Sequence, residues 1–151
     1  MVDDLSELII IFGNKDYDAP PSDGVSFVYS FGAGSVRGRE VIVVNNAHRL
    51  QEIALEARDD YSRWIYSLNE IFLRKGLMYR GLSLFFISDC SCKRTELFDT
   101  YSSICNLLLI QEVIAEKSPQ KIALVGGDAA FLQALKSIAK DIPISTESKG
   151  K

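Results

Sequence analysis

The sequence predicts an α/β protein, a Rossmann-like three-layer domain in which a mostly parallel sheet is flanked by helices. Short apolar runs rich in β-branched residues alternate along the chain with longer segments whose apolar residues recur every three or four positions. The short runs are typical of buried strands and the longer segments of helices. Their alternation favours a parallel sheet that is covered on both faces.

Five segments are predicted as strands. The run Leu-Ile-Ile-Ile-Phe at 8–12 is short and continuously apolar, and Gly13-Asn14 ends it as a turn would. The other strands, in chain order, are expected at 26–31, 40–44, 82–87 and 121–125. A loop must separate the first two strands, because residues 15–25 contain both a Pro-Pro and an Asp-Gly pair.

The longest helix is predicted between Leu50 and Phe72, where apolar residues recur at spacings of three and four. Gly76 is the expected stop. Because a single helix of this length is above average, a break near Asp59-Asp60 is left open.

Two further helices are predicted in the second half of the chain. Residues 95–116 carry an apolar face so wide that the helix must be largely enclosed, and Pro119 closes it. Residues 129–140 form a compact amphipathic helix. We expect one domain over residues 1–143, followed at 144–151 by a frayed polar tail or the start of a linker.

Composition excludes several classes of protein. The net charge is −3, which gives no general basic footprint for nucleic acid, so no nucleic-acid partner is expected. No apolar run approaches the roughly 18 residues of a transmembrane helix. The first residues are acidic, unlike a secretory signal, and 3 cysteines do not make a disulfide framework. These features favour a cytoplasmic protein.

The glycine-rich stretch GAGSVRG at 32–38 is similar to a dinucleotide-binding fingerprint. Its spacing is one residue too long, however, and the strand EVIVV follows where a helix is required. Without a helix N-terminus there are no free amides to hold a pyrophosphate. We interpret the stretch as a mobile connection between strands and expect no cofactor.

The cysteines and the single histidine do not have the spacing of a metal site. Cys90 and Cys92 form a C-x-C pair, whereas zinc sites usually use C-x-x-C pairs with further ligands, so no metal is expected. Cys105 lies on the buried face of a helix and is interpreted as a small core residue. A small hydrolase that uses Cys90 or Cys92 together with His48 is left open.

Polar, turn-prone residues follow four of the predicted strands. In an open parallel sheet, ligands bind outside the carboxyl ends of the strands. If the strands are parallel, that edge gathers Asn14, Asn45, Asn46, Ser88, Asp89, Gly126, Gly127 and Asp128. The glycine pair would let the backbone approach a ligand closely. His48 either fixes the start of the long helix or meets the ligand, and the alternative for the whole set is ordinary turn and N-cap residues, Asp128 above all.

The segment from Tyr79 to Ile114, YRGLSLFFISDCSCKRTELFD followed by an apolar helix, together with KIALVGGD, resembles the N-terminal region of bacterial surface-carbohydrate glycosyltransferases. These enzymes are GT-B-like, with two Rossmann-type domains and a cleft between them. The family strand reads roughly Ser-Leu-Trp-Trp, with a charged pair soon after. This chain has Ser83-Leu84-Phe85-Phe86 there, and Lys93 and Arg94 stand at the basic positions.

The resemblance implies an acceptor-side, N-terminal domain of a glycosyltransferase in surface-polysaccharide biosynthesis. Its partners would be a sugar acceptor and a nucleotide-sugar donor, the donor being held by a second domain, and one domain alone is not expected to be active. Ser88, Lys93 and Arg94 would then bind a sugar or phosphate group, with Asp89 as general base. The location would be cytoplasmic or peripheral at the inner membrane. The alternative is a stand-alone, non-catalytic α/β ligand-binding or regulatory module, and a homodimer is left open.

Overall fold

A computed structural model describes residues 6–86, 100–127 and 129–147. In chain order the elements are β1 (Glu7–Ile11), β2 (Tyr17–Asp18), β3 (Ser26–Ser30), β4 (Val36–Arg37), β5 (Ile42–Val43), α1 (Ala47–Arg74), β6 (Met78–Tyr79), β7 (Leu82–Ser83), a 3₁₀ helix (Leu84–Phe86), α2 (Thr100–Lys117), β8 (Lys121–Val125), α3 (Ala129–Ala139) and β9 (Ile144–Glu147). They form two compact units, Met1–Asn46 with Leu109–Lys151 and Ala47–Leu108.

The first unit is built on a five-stranded sheet in the order β5-β3-β1-β8-β9, in which all neighbouring strands are parallel. Strand β1 lies at the centre, and every residue from Glu7 to Ile11 is buried. It pairs on both sides, so that Ile9 lies opposite Val28 on one side and Ala123 on the other. With helices flanking this sheet, the predicted Rossmann-like α/β class is confirmed.

The two faces of the sheet are covered by different kinds of structure. On one face the ring of Phe131 in α3 lies 4.4 Å from the ring of Phe12, and Lys117 of α2 lies 5.5 Å from the ring of Phe27. The other face carries a core cluster with partly buried side chains packed against it: Ile9, Ile11, Val28 and Ala123 with Tyr17, Val36, Val41 and Val125. A ribbon of β2 and β4 therefore contributes to this second face.

The ribbon joins the loop after β1 to the loop after β3. The N–H of Tyr17 donates to the Ser35 carbonyl at 2.8 Å, and the N–H of Ala19 donates to the Arg37 carbonyl at 2.9 Å. The carboxylate of Asp16 accepts from both the N–H and the hydroxyl of Ser35, at 3.0 and 2.9 Å. The predicted loop at 15–25 thus contains a short strand that its Pro-Pro and Asp-Gly signals do not reveal.

The glycines of GAGSVRG allow these two loops to approach closely. A Cβ atom on Gly32 would lie 2.7 Å from the Gly13 carbonyl oxygen, and one on Gly34 would lie 2.5 Å from the Lys15 carbonyl oxygen. Strand β5 follows the segment, and no helix does. The interpretation of this stretch as a connection between strands is therefore confirmed.

Helix α1 begins the second unit and runs without a break through its 28 residues, so the break left open at Asp59-Asp60 does not occur. The predicted stop at Gly76 is confirmed, with a positive φ of 69°. There the N–H of Gly76 donates to the Leu73 carbonyl at 3.1 Å and the N–H of Leu77 to the Phe72 carbonyl at 2.9 Å. This pair of bonds is a Schellman motif, which satisfies carbonyls that the end of the helix leaves free.

The prediction of a sheet strand at 82–87 is wrong for its described residues. Strand β7 pairs antiparallel with β6, Tyr79 opposite Leu82, and the chain then enters the 3₁₀ helix. Of the apolar residues in this run, Phe85 packs within the second unit, where its ring meets that of Phe72 at 5.9 Å. A short apolar run has no periodicity that distinguishes a strand of the main sheet from other buried structure. The sequence alone could therefore not show where this run packs.

The prediction of a frayed tail after Pro143 is also wrong, because residues 144–147 form β9 at the edge of the sheet. Ile122 lies opposite Ile144, and Val125 lies opposite Glu147. The segment is polar because only its first residue is half-buried. An edge strand that is exposed along most of its length has no apolar pattern, and its composition therefore resembles that of a polar tail.

The other predicted elements are confirmed, apart from residues 95–99, which lie outside the described ranges. Strand β8 and helix α3 occupy the predicted segments, and α2 ends two residues before Pro119. Among the described helices, none combines the length and the apolar character that crossing a bilayer requires.

A buried ion pair fastens the loop after β4 to the start of the sheet. The Glu7 carboxylate lies 2.5 Å from the Arg39 guanidinium, and the two side chains are only 10% and 7% exposed. Arg39 also donates to the Ser26 hydroxyl at 3.1 Å and to the Pro20 carbonyl, while its Nε has no hydrogen-bond partner. Burial makes the removal of one partner costly, because the other charge is left desolvated.

We therefore expect Arg39→Met to lower the free energy of unfolding by about 3 kcal/mol, measured by urea denaturation at neutral pH. The double variant Glu7→Gln, Arg39→Met should recover part of this loss, since in the single variant the buried Glu7 carboxylate keeps, among the described residues, only Lys121, 3.9 Å away. The matched control is Arg63→Met, which removes an exposed cation 3.6 Å from Asp60. It should change stability by less than about 0.5 kcal/mol. Equal effects of the two single substitutions would contradict the assigned role of the buried pair.

Candidate functional site

The sheet has a switch in strand order between β1 and β8. From β1 the chain adds strands on one side, β3 and then β5, and from β8 it adds β9 on the other side. At such a switch point the connections leave the carboxyl edge in opposite directions, and a crevice opens between the two central strands. The sequence could not give this strand order, and the prediction that ligands bind at the carboxyl ends of the strands stays a prediction.

The residues at this point are Phe12 and Gly13 after β1 and Gly126 and Gly127 after β8, which we call the switch-point edge. Gly13, Gly126 and Gly127 have positive φ values of 92°, 80° and 85°. A Cβ atom on Gly13 would meet nothing within 4 Å, so open space lies in front of this backbone. A Cβ atom on Gly127 would lie 3.3 Å from the ring of Phe12. The backbone can therefore be approached closely at Gly13, and α3 begins just beyond Gly127.

An aromatic cluster lies beside the switch-point edge. The rings of Phe12 and Phe31 stack at 4.2 Å, and Phe131 meets both edge-on, at 4.4 and 5.5 Å. Phe12 and Phe31 are only half-buried. Sequence reasoning missed this cluster, although a signal exists: both phenylalanines directly follow paired strands at the same register position, after Ile11 and Ser30.

Two of the asparagines predicted to bind ligand make hydrogen bonds within the chain. The carboxamide of Asn45 accepts from the N–H of Ser30 and donates to its carbonyl, both at 2.9 Å, and so extends the ladder between β3 and β5. The Oδ1 atom of Asn14 accepts from the N–H of Ala33 at 3.0 Å. These two side chains therefore connect loops at the carboxyl edge.

Asn46 and His48 lie at the start of α1. Asn46 is exposed and directly precedes the helix, in the N-cap position where asparagine is favoured. His48 is 83% exposed, and its Nδ1 atom lies 3.4 Å from Glu52 on the same helix. It belongs to the second unit. Of the two roles considered for His48, a place at the beginning of the helix is the one that these contacts support.

Several predicted site residues lie outside the described residues: Ser88, Asp89, Cys90, Cys92, Lys93, Arg94 and Asp128. The placement of Ser88 and Asp89 at the sheet edge depended on a sheet strand at 82–87, which the described sheet does not contain. Their predicted roles remain predictions. Cys105 is buried and free, and the prediction that it is a core residue is confirmed.

Three titratable groups of the first unit have shifted pKa values. Hydrogen bonds from Ser35 lower the pKa of Asp16. Burial, followed by the charge of Glu147, raises the pKa of Tyr17, and burial raises the pKa of Tyr29 to about 12. In the described ranges, none of the shifted pKa values moves to near 7.

Comparisons with protein-family models, with curated proteins and with solved structures find no significant match to this chain. Within the described residues, no group of three or more histidine, cysteine or acidic side chains could hold a metal ion. The fold and the edge together define a protein with a doubly wound, Rossmann-like sheet, at whose switch point open space lies in front of Gly13.

The structural role of Asn45 gives a direct test. We expect Asn45→Ala to lower the free energy of unfolding by about 1–2 kcal/mol, because two backbone groups of Ser30 lose their partner. Thermal or urea denaturation measures this loss. Gln51→Ala, an exposed substitution on α1, is the control and should leave stability within about 0.5 kcal/mol. A stability equal to that of the control would mean that Asn45 does not extend the ladder.

Proposed function

We propose that this chain is the acceptor-side, Rossmann-like domain of a glycosyltransferase in bacterial surface-polysaccharide biosynthesis. We further propose that a sugar or sugar phosphate binds at the switch-point edge. The observation that carries the proposal is the open space in front of Gly13, beside Gly126 and Gly127, at the switch point of a parallel sheet. The resemblance of the segment after Tyr79 to such enzymes is the second support.

The chemistry of the edge suits a sugar. Exposed backbone at Gly13 and Gly127 can exchange hydrogen bonds with hydroxyl or phosphate oxygens, since glycine allows a ligand to come close. The half-buried ring of Phe12 lies beside them. One face of this ring stacks on Phe31, and the other would attract the weakly positive C–H groups on the apolar side of a pyranose ring. A polar edge next to an aromatic surface is thus complementary to the two sides of a sugar.

Proton transfer is assigned to Asp89, which the sequence places among basic and polar residues shortly after the Ser83-Leu84 motif. A carboxylate there would take the proton from the acceptor hydroxyl as the new glycosidic bond forms. This role rests on the resemblance and on the type of residue. It is separate from the argument for the switch-point edge.

Binding is tested with Gly13→Ala, whose Cβ atom would project into the open space. NMR titration with glucose 1-phosphate, N-acetylglucosamine and uridine diphosphate glucose should shift the amide signals of Gly13, Gly126 and Gly127. We expect the substitution to weaken the strongest sugar or sugar-phosphate ligand by about tenfold, the effect of roughly 1.4 kcal/mol. The loss of a residue that accepts positive φ also costs about 1–2 kcal/mol of stability.

Gly76→Ala is the matched control, because Gly76 also has a positive φ and open space, but lies in the second unit. It should cost similar stability and leave binding unchanged. Equal binding by both variants would reject the switch-point edge. Preference for the nucleotide sugar over the simple sugars would reject the acceptor-side assignment.

Transfer itself is tested by Asp89→Asn in the complete native protein. Loss of a general base should reduce the transfer rate by about 10²–10⁴-fold while the melting temperature is unchanged. An unchanged rate would remove Asp89 from the mechanism. If the complete protein binds sugars at the switch-point edge but transfers none, the alternative of a non-catalytic binding module takes its place.

A further inference from the structure

The hairpin of β6 and β7, with the end of α1 that precedes it, exposes large apolar side chains that are close together in sequence. Their exposed fractions are 48% for Leu73, 39% for Leu77, 41% for Met78, 58% for Tyr79 and 47% for Leu82. We call these residues, with the cations Arg74, Lys75 and Arg80, the hairpin patch. Single exposed apolar residues are normal on a protein surface, but five of them within one short segment make that segment a candidate interaction site.

The hairpin is held firmly at its base. The hydroxyl of Ser83 donates to the Asn69 carboxamide at 2.8 Å, and Phe85 packs edge-on against Phe72. The N–H of Leu84 donates to the Leu77 carbonyl at 2.9 Å. The side chains of Ser83 and Phe85 thus anchor the hairpin on α1. The cross-strand pair Tyr79 and Leu82 is left at the surface.

The charge of this segment is opposite to that of the chain as a whole. Residues 71–86 contain Arg74, Lys75 and Arg80 and no acidic residue, whereas the whole chain has a net charge of −3. Arg74 lies 3.9 Å from Glu70, but both side chains are about three-quarters exposed, so water weakens this pair. The patch therefore combines apolar surface with local positive charge.

The turn of the hairpin places one of these cations at its tip. Arg80 and Gly81 have φ values of 50° and 81°, the positive pair that a two-residue type I′ turn requires. Asparagine followed by glycine is the favoured sequence for this turn, and arginine adopts positive φ at a higher cost. Arg80 also lies 5.3 Å from the centre of the Tyr79 ring. At this turn the chain therefore has arginine, the less favourable residue, and its cation lies over the exposed ring of Tyr79.

We propose that the hairpin patch docks on a lipid bilayer that contains anionic headgroups. Tyrosine and leucine would enter the boundary between headgroups and acyl chains, and Arg74, Lys75 and Arg80 would meet the lipid phosphates. A protein partner could also cover apolar surface, but three cations within residues 71–86, which contain no acidic residue, favour a surface that is itself anionic. This docking is independent of the ligand proposed for the switch-point edge, so either proposal can fail alone.

The test is co-sedimentation of the full chain with vesicles of phosphatidylcholine and phosphatidylglycerol in equimolar amounts, compared with pure phosphatidylcholine. Anionic vesicles should bind the protein more strongly, and added salt should weaken the binding. Arg80→Asn should lower the affinity about fivefold, the contribution of one cation near such a surface. Because it creates the favoured Asn-Gly turn, the variant should be at least as stable as the parent chain, so misfolding cannot explain the loss.

The apolar contribution is tested with Tyr79→Ser, Leu82→Ser, which should lower the affinity by about tenfold or more. The matched control for charge is Arg63→Gln, an exposed cation on α1 outside the patch, which should bind as the parent does. Binding that none of the patch variants changes would overturn the proposal. So would self-association that the double serine variant abolishes in the absence of vesicle binding, since the patch would then be an interface between two copies.

Discussion

The pairing of β1 with a parallel strand on each side is the constraint on which the first unit depends. Five consecutive residues, Glu7 to Ile11, are buried, and their backbone groups can be satisfied only by neighbouring strands. One neighbour comes from the segment directly after β1 and the other from beyond residue 120, so the chain must reverse its direction of growth across the sheet. The same pairing that buries the central strand therefore also creates the switch point where a ligand can approach Gly13 and Gly127.

The short connections after β1 and β3 explain why a ribbon contributes to one face of the sheet. Their prolines and glycines disfavour a helix, yet Ile9, Ile11 and Val28 still require apolar cover. Pairing the two connections with each other satisfies their backbone groups and delivers Tyr17 and Val36 to the sheet. The close approach of glycines to carbonyl oxygens follows from this arrangement. Glycine richness here reflects packing between loops, although in a sequence it is easily confused with phosphate binding.

The fold class could be predicted from sequence because its main signals are strong and local. The buried run ending in Phe12, the helical spacing of α1 and the stop at Gly76 each depend on a few neighbouring residues. Two elements could not be assigned in this way. β9 is polar since it lies at an exposed edge, and the run beginning at Leu82 is apolar for a reason unrelated to the sheet. For the candidate site, residue type located the carboxyl edge, but the bonds that occupy Asn14 and Asn45 depend on distant segments that only the tertiary structure brings together.

Positive φ values distinguish the structural from the functional features of this chain only when the surroundings are considered. Ser118 and Lys140 adopt such values directly after α2 and α3, where their N–H groups donate to Ile114 and Lys136, so helix termination accounts for them. A type I′ turn accounts for the positive φ of Arg80, but asparagine adopts this conformation at a lower cost. The turn does not explain why a cation occupies this position. The neighbouring exposed side chains of Tyr79 and Leu82 supply a reason, because with Arg80 they would suit the bilayer surface proposed above. The strain at Arg80 comes from its Cβ atom, which other L-residues share. What arginine adds at this turn is a long charged side chain, and that is the part an anionic surface would bind.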